Sequence, residues 1–209
     1  MTTESRATAL RPGVTGIVLA GGRSSRFGSN KLEALIDGVR VIDRTVAALA
    51  SVVDEVIVAG TSAEAAPGDV LLVPDPHLAG GPLVGLGAGL SSARREVALV
   101  VGGDMPLVEP ALLRAMVDRL EADPAADSVV LGDGADVRPL PMAIRVGAAR
   151  TAIGGVLAGS DRSMRALLAR LRAATIPETE WRVLDPDGNT LLDVDRPADL
   201  ELARTRLAR

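Results

Sequence analysis

Short runs of β-branched residues alternate along this chain with longer segments rich in alanine and leucine. This alternation is typical of βαβ units around a mainly parallel sheet, and apolar runs without polar alternation predict strands buried on both faces. The predicted strands are 15–20, 54–60, 70–74, 96–102, 127–131 and 140–146. Helical apolar spacing predicts helices at 41–53, 83–95, 110–121, 148–157, 162–174 and 197–207.

Turn-forming residues refine this pattern. Pro139 and Pro141 cannot donate ladder hydrogen bonds, so strand 140–146 is predicted to be an edge strand or an irregular one. The segments 181–184 and 190–194 flank a turn at Asp-Pro-Asp-Gly, which predicts a late hairpin.

The whole pattern predicts an α/β fold, a single-domain, Rossmann-like, mainly parallel sheet with helices on both faces. Residues 1–14 are polar and mixed and are expected to form a flexible N-terminal tail, with one domain over 15–209.

The composition excludes several function classes. The chain has 209 residues, a net charge of −4, no cysteine and one histidine, so it has no disulfide framework, thiol nucleophile or cysteine and histidine metal cluster. An acidic chain whose aromatic residues are only Phe27 and Trp181, both predicted core residues, lacks the stacking platform and basic groove of a nucleic-acid-binding protein. No signal peptide or membrane span is apparent, so a cytoplasmic protein without a membrane partner is expected.

Arginine is the dominant cation of this chain. Of 23 basic residues 22 are arginine, and Lys31 is the only lysine. A general preference for arginine should remove lysine wherever any cation serves, which makes Lys31 a candidate site residue. Chance survival of one lysine is the alternative interpretation.

The segment 19–31 leaves the first predicted strand and contains Gly21, Gly22, Arg26 and Lys31. Ligands of open α/β sheets bind at the carboxyl ends of strands. Glycine lets the backbone approach phosphate oxygens closely, and the two cations add positive charge. The spacing fits neither a Walker loop nor a dinucleotide-binding loop. A surface loop with incidental arginines is the alternative, but the combination favours phosphate binding.

Asp104 follows strand 96–102 after a glycine, so its carboxylate is expected at the same edge of the sheet. Mg²⁺ prefers one or two carboxylates together with phosphate oxygens and water. A helix cap is the alternative role, but Asp104 lies several residues before the helix that begins near Pro110. The pattern therefore predicts a magnesium ligand.

Asp193 and Asp195 alternate along a segment predicted to be extended, so both carboxylates are expected to face one side. Two such carboxylates repel unless a cation or an acceptor group lies between them, which favours a second metal or a substrate contact at one of them. The alternative is that Asp195 caps the helix that begins at Pro197.

At segment 19–31 the chain resembles the signature L-A-G-G-x-S-x-R-M-G-x-D-K of the molybdenum cofactor guanylyltransferases (MobA-like family), departing at Phe27 and Asn30. The resemblance covers almost the whole chain beyond the tail. Its further motifs are V-P-D at 73–75, G-P-L-V-G at 81–85, G-D-M-P at 103–106, a basic helix start at 161–168 and D-V-D-R-P-A-D-L at 193–200.

The resemblance implies transfer of GMP from GTP to the molybdenum-molybdopterin cofactor, with Mg²⁺, forming molybdopterin guanine dinucleotide and pyrophosphate. Other proteins of molybdenum cofactor biosynthesis are further partners that it suggests. The implied catalytic residues are Arg26, Lys31 and Asp104, with Asp104 as the metal ligand. The implied nucleotide contacts are Leu19, Ala20, Gly21, Gly22, Lys31, Asp75 and Asp104, and the implied acceptor contacts are Gly81, Pro82, Leu83, Asp193 and Asp195.

Three alternatives stay open. The loop Ala20-Gly21-Gly22 favours guanine, because cytidylyl-transferring relatives read A-A-G there, whereas the ending Asp193-x-Asp195 favours cytidylyl transfer. A guanylyltransferase acting on another phosphorylated acceptor is the second alternative. The third is a non-catalytic nucleotide-binding module. Such a module is expected to have lost the functional side chains at positions 26, 31 and 104, whereas this chain has Arg26, Lys31 and Asp104 there.

Overall fold

A mixed seven-stranded sheet with helices on both faces forms the centre of the computed structural model, which describes residues 10–21, 30–60, 70–74 and 81–208. The strands are β1 (Arg11–Leu19), β2 (Leu35–Ile36), β3 (Val39–Arg40), β4 (Val53–Ala59), β5 (Leu71–Val73), β6 (Val97–Gly102), β7 (Ser128–Asp133), β8 (Asp136–Arg145) and β9 (Ala173–Ile176). The helices are α1 (Val41–Ala50), α2 (Gly81–Ser92), α3 (Pro110–Ala122), α4 (Val146–Leu157), α5 (Met164–Leu168), α6 (Glu178–Trp181) and α7 (Pro197–Leu207).

The order of the large sheet is β5-β4-β1-β6-β8-β7-β9, and β2 and β3 form a separate antiparallel hairpin. Strands β5, β4, β1 and β6 are parallel, β8 runs antiparallel to both of its neighbours, and β9 is parallel to β7. This architecture confirms the predicted α/β fold with a mainly parallel sheet.

From Val14 to Leu19, strand β1 is buried on both faces, as its mainly apolar sequence predicts. Ile17 contributes to the core under α2 and α4, and Val18 contributes to the core under α1 and α3. A Cβ on Gly16 would lie 2.7 Å from the side chain of Leu49, so α1 approaches β1 closely because residue 16 has no side chain. Each face of the sheet therefore has its own helix layer and core.

Strand 140–146 was predicted at an edge or as irregular, and the edge prediction is wrong. Strand β8 lies inside the sheet between β6 and β7. Its register against β7 shifts, since Val130 pairs with Met142 whereas Leu131 pairs with Arg138. The two prolines fall in the stretch that this shift leaves out of the β7 ladder, which is how an interior strand accommodates them.

The predicted helix at 162–174 is much shorter in the structure, because its end forms a strand. Helix α5 ends at Leu168, and β9 (Ala173–Ile176) pairs with β7. Arg172 anchors this pairing through two side-chain hydrogen bonds to Asp127, of 2.8 and 2.9 Å. A contact with a residue 45 positions away overrides the local helical pattern.

The late hairpin predicted around 185–188 is also wrong. Helix α6 and a short 3-10 helix, Asn189–Leu191, occupy the segment instead. The buried carboxylate of Asp185 accepts hydrogen bonds from the backbone N–H groups of Asn189 and Thr190, at 2.8 and 2.7 Å. Asp185, the first residue of the predicted turn, thus supports a helical turn.

The first strand begins earlier than expected. Residues 11–14, assigned above to the flexible tail, belong to β1, and the N–H of Arg11 donates to the carbonyl of Val52. Trp181 is a core residue as predicted, because it is 1% exposed and its indole N–H donates to the carbonyl of Gly132 at 2.7 Å.

Candidate active site

The carboxyl ends of the central strands meet at one edge of the sheet. Leu19 of β1 pairs with Ala59 of β4 on one side and with Gly102 of β6 on the other. The backbone continues this pairing beyond the strands, since the N–H of Ala20 donates to Ala59 and the N–H of Gly103 donates to Leu19. Residues that follow β1 and β6 are thereby brought side by side.

Gly60 lets the chain after β1 pass directly over the end of β4. Its φ of +139° is open to glycine, and a Cβ there would overlap the backbone nitrogen of Gly21. Gly21 therefore lies in close contact with the end of the neighbouring strand. Leu19, Ala20 and Gly21 lie at the edge predicted for nucleotide binding.

Asp104 is delivered to this edge by the turn after β6. The N–H of Met105 donates to the carbonyl of Gly102, and a Cβ on Gly102 would overlap Oδ1 of Asp104. The missing side chain thus makes the space in which the carboxylate lies. The carbonyl of Asp104 also accepts a hydrogen bond from the N–H of Val194, at 2.9 Å.

Lys31 begins a 3-10 helix, Lys31–Glu33. The Asn30 side chain caps this helix by accepting the N–H of Leu32 at 3.2 Å, and Leu32 is buried. Asn30, where the family signature has Asp, therefore keeps a capping role. The cap and the buried leucine fix the position from which the Lys31 side chain extends.

The Lys31 ammonium lies between two carboxylates. Its Nζ is 2.5 Å from Oδ2 of Asp104 and 2.6 Å from Oδ1 of Asp195. Partial burial disfavours the charged amine, but attraction and hydrogen bonding from the two carboxylates outweigh burial, so the pKa of Lys31 lies above its usual value. Lys31 is accordingly a permanent cation at neutral pH.

Asp193 and Asp195 both reach this site, although the segment that carries them is not a strand. Asp195 binds Lys31, and Asp193 accepts a hydrogen bond of 3.1 Å from Arg138. Burial, together with the negative charges of Asp104 and Asp195, raises the pKa of Asp193 to about 6 despite the attraction of Arg138. The strand alternation that was expected to turn both carboxylates to one side is therefore absent, and the two carboxylates bind different partners, Lys31 and Arg138.

The alternative role of Asp195 as a helix cap is wrong. Helix α7 begins at Pro197, and the residue before it is Arg196. The carboxylate of Asp199 accepts the N–H groups of Asp195 and Arg196, at 3.0 and 2.8 Å. Because Asp199 supplies the cap, the Asp195 carboxylate is available to Lys31.

Three of the predicted acceptor contacts lie at the start of a helix. Gly81, Pro82 and Leu83 form the start of α2, where Leu83 is fully buried and Gly81 has a φ of +73°. A core position makes Leu83 a packing residue rather than a side-chain contact to an acceptor. Gly22, Arg26 and Asp75, together with Phe27, lie outside the described residues.

Sequence reasoning missed Arg138. It belongs to β8, next to Pro139, and its contact with Asp193 spans 55 positions. In a chain with 22 arginines, no local motif distinguishes it. The position of β8 between β6 and β7 places Arg138 at the site.

No helix in the described part of the chain combines the length and apolarity needed to cross a lipid bilayer.

Comparisons with known proteins identify the family of this chain. The MobA-like NTP transferase domain family matches residues 16–175. A probable molybdenum cofactor guanylyltransferase of Chloroflexus aggregans is 30% identical over 198 residues, covering 93% of this chain and 95% of that protein. A molybdenum cofactor guanylyltransferase of Desulfosudis oleivorans is 33% identical over 196 residues, covering 93% and 96%.

Solved structures share the fold. Molybdopterin-guanine dinucleotide biosynthesis protein A of Archaeoglobus fulgidus has a TM-score of 0.77 at 20% identity, covering 93% of this chain and 98% of that one. The 2-C-methyl-D-erythritol 4-phosphate cytidylyltransferase of Thermus thermophilus has a TM-score of 0.66 at 14% identity, covering 92% and 98%. The family match spans Lys31 and Asp104, and the chain therefore belongs to the MobA-like NTP transferase family and is a nucleotidyltransferase.

Proposed function

We propose that this nucleotidyltransferase transfers GMP from GTP to molybdopterin that carries molybdenum, forming the guanine dinucleotide cofactor and releasing pyrophosphate. The observation that carries the proposal is the meeting of Lys31, Asp104 and Asp195 at the carboxyl edge of the sheet. The names of the two relatives reported above support guanine as the base and the molybdenum cofactor as the acceptor.

The proposed reaction is a displacement at the α-phosphorus of GTP. A phosphate oxygen of the acceptor forms a bond to this phosphorus, the bond to the oxygen that bridges to the β-phosphorus breaks, and pyrophosphate leaves with that oxygen. No covalent bond to the protein is required. The contribution of the protein is alignment and stabilisation of charge.

Lys31 is suited to hold the triphosphate. An ammonium is a compact point charge on a flexible stem, so it can turn from a carboxylate to a phosphate oxygen without changing its fixed backbone. A lysine ammonium is protonated at neutral pH, since its ordinary pKa is about 10.4. Arg26, from the same loop, is proposed to add a second positive charge.

Asp104 is the residue that would hold Mg²⁺. Asp104 and Asp195 together carry two negative charges and Lys31 carries one positive charge, so the three side chains keep a net negative charge that a bound cation would neutralise. Mg²⁺ prefers one or two carboxylates together with phosphate oxygens and water, and Asp104 can supply such a carboxylate. When bound, Mg²⁺ supplies positive charge to the triphosphate.

The choice of base is tested by calorimetric titration of the protein with GTP and with CTP in the presence of Mg²⁺. We expect GTP to bind at least tenfold more tightly, which corresponds to about 1.4 kcal/mol. Tighter binding of CTP would overturn the base assignment and favour cytidylyl transfer, the alternative that the Asp193-x-Asp195 ending supports.

The acceptor is tested by pyrophosphate release from GTP and Mg²⁺ with molybdenum-loaded molybdopterin and with a panel of phosphorylated sugars and acids. We expect release with the molybdopterin acceptor only, and none from Asp104→Asn. Release with another acceptor would replace the proposed one. Tight GTP binding with no release on any acceptor would favour a non-catalytic nucleotide-binding module.

A further inference from the structure

We propose that Arg138 is a positioning residue of this active site, which fixes the closing segment 191–195 so that the Asp195 carboxylate reaches Lys31. The kinetic consequences of this inference rest on the proposed function. The contacts from which the inference is drawn do not depend on the proposed function.

Arg138 holds the closing segment at two points. One terminal nitrogen, Nη2, donates to Oδ2 of Asp193 at 3.1 Å and to the carbonyl of Leu191 at 3.2 Å. The other, Nη1, lies 3.8 Å from Oδ2 of Asp133, at the end of β7. The guanidinium therefore ties the backbone and a side chain of the segment to the β7–β8 end of the sheet.

The segment held in this way makes two contacts with the catalytic residues. The N–H of Val194 donates to the carbonyl of Asp104 at 2.9 Å, and Oδ1 of Asp195 lies 2.6 Å from Nζ of Lys31. Val194 is fully buried in a small apolar cluster beside α7. Val194 anchors the middle of the segment, and Arg138 restrains its rotation from the Asp193 side.

Arg138 does not touch Lys31 or Asp104 in any hydrogen bond of the described residues, so it acts through the segment rather than on the reacting atoms. Its side chain is 34% exposed and that of Asp193 is 39% exposed. Ion pairs this exposed contribute little to global stability. Loss of Arg138 is therefore expected to displace Asp195 without unfolding the protein.

The sole lysine gives this inference a direct probe. Protein labelled with ¹⁵N and ¹³C only in lysine has one lysine side-chain signal, that of Lys31. We expect Arg138→Gln to shift this signal in nucleotide-free protein, because the ammonium loses its hydrogen bond to Asp195. Asp193→Ala should cause a similar shift, and the double variant should add little to either single one.

The matched control is Arg165→Gln. Arg165 binds Asp136, which lies two positions before Arg138 on the same strand, but neither member of that pair touches the closing segment in the described contacts. We expect this variant to leave the Lys31 signal unchanged. A shift of equal size in the control would show a general disturbance of β8 and would overturn the specific role of Arg138.

Kinetics supply the second readout. We expect Arg138→Gln to lower kcat by about tenfold or more and to change KM for GTP by less than about threefold. The displaced Asp195 carboxylate would no longer orient Lys31 for the reaction, while the contacts that bind the triphosphate would remain. Should Arg138→Gln not fold, Asp193→Ala carries the same test.

An unshifted Lys31 signal in folded Arg138→Gln, or in folded Asp193→Ala if the first variant does not fold, would overturn the inference. Absence of pyrophosphate release from the wild-type protein would instead contradict the proposed function, and the Lys31 signal would still decide the role of Arg138.

Discussion

Nζ of Lys31 lies 2.5 Å from Oδ2 of Asp104, although 73 positions separate the two residues in the chain. The first residue follows β1 and the second follows β6, and these two strands are direct neighbours in the sheet. The parallel pairing of two apolar strands thus creates an ion pair between the two loops that leave them.

Catalytic activity should depend on which cationic side chain occupies position 31. We expect Lys31→Arg to keep its fold and to lose about 100-fold in kcat/KM, because a planar guanidinium requires bidentate geometry in a space that fits a compact ammonium. Pyrophosphate release measures the activity, and thermal unfolding verifies the fold. Arg165→Lys, a cation exchange at an exposed pair, is the control and should be neutral. Near-normal turnover of Lys31→Arg would contradict the proposed role.

The space beside Gly102 should matter more for activity than for stability. A Cβ at this position overlaps the terminal oxygen of Asp104, which can rotate away at small cost, but the rotation takes the carboxylate off Lys31. We expect Gly102→Ala to lower kcat/KM by about tenfold while Tm changes by about 2 °C or less.

Gly147→Ala, where an added Cβ meets no atom within 4 Å, serves as the control for Gly102→Ala. It should leave activity unchanged. A large fall in Tm with unchanged activity per folded molecule of Gly102→Ala would refute the explanation.

The link between Asp127 and Arg172 should stabilise the protein in a pH-dependent way. Hydrogen bonds from the side chain and backbone of Arg172 lower the pKa of Asp127 to about 2. The stabilisation is therefore complete above the unfolded pKa, near 4, and is lost as the pH falls from about 4 through 2.

At pH 7 we expect Asp127→Asn to lower the free energy of unfolding by about 1.5 kcal/mol, less than the full pKa shift implies because Arg172 is 69% exposed. Urea unfolding at pH 7 and at pH 3 measures the difference, which should shrink at the lower pH. Asp136→Asn, at a pair whose two side chains are both more than half exposed, should change little at either pH. An equal loss for both variants would contradict the assignment.

The contribution of Asp193 to the stability of the protein should depend on pH in the opposite direction to that of Asp127. Its pKa of about 6 in the folded protein exceeds the unfolded value, so the folded state retains a proton that the unfolded state releases between about pH 4 and pH 6. The contribution of this carboxyl group to stability therefore falls as the pH rises through that window, and the whole penalty is present above pH 6.

We expect Asp193→Asn to raise the free energy of unfolding by about 1 kcal/mol more at pH 7.5 than at pH 4, a value reduced for the 39% exposure of the side chain. Urea denaturation at the two pH values tests this. A difference of zero, or one of opposite sign, would be inconsistent with the raised pKa.

The sequence predicted the central strands and the glycine-rich edge well, because β1 and β6 are continuous apolar runs whose burial is a local property. Asp104 could be found for the same reason, because it follows β6 after one glycine, whereas Lys31 could be found because it is the only lysine in the sequence. The structure brings both together as expected.

The errors arose where distant contacts decide local structure. β9 depends on pairing with β7, and the turn after α6 depends on the carboxylate of Asp185. Arg138 was missed because its partner, Asp193, lies 55 positions further along the chain. Hydrophobic periodicity indicates the secondary structure that a segment prefers in isolation. In these segments, contacts with distant residues determine the structure instead.

The bond between Lys31 and Asp195 joins residues 164 positions apart. During synthesis, the amino-terminal strands leave the ribosome long before the closing segment does. Lys31 and Asp104 are therefore made early, whereas Asp195, the second carboxylate that binds Lys31, is made much later. A nascent chain that has not reached residue 195 lacks the full charge arrangement of the site, so nucleotidyl transfer should begin only after residue 195 has been made.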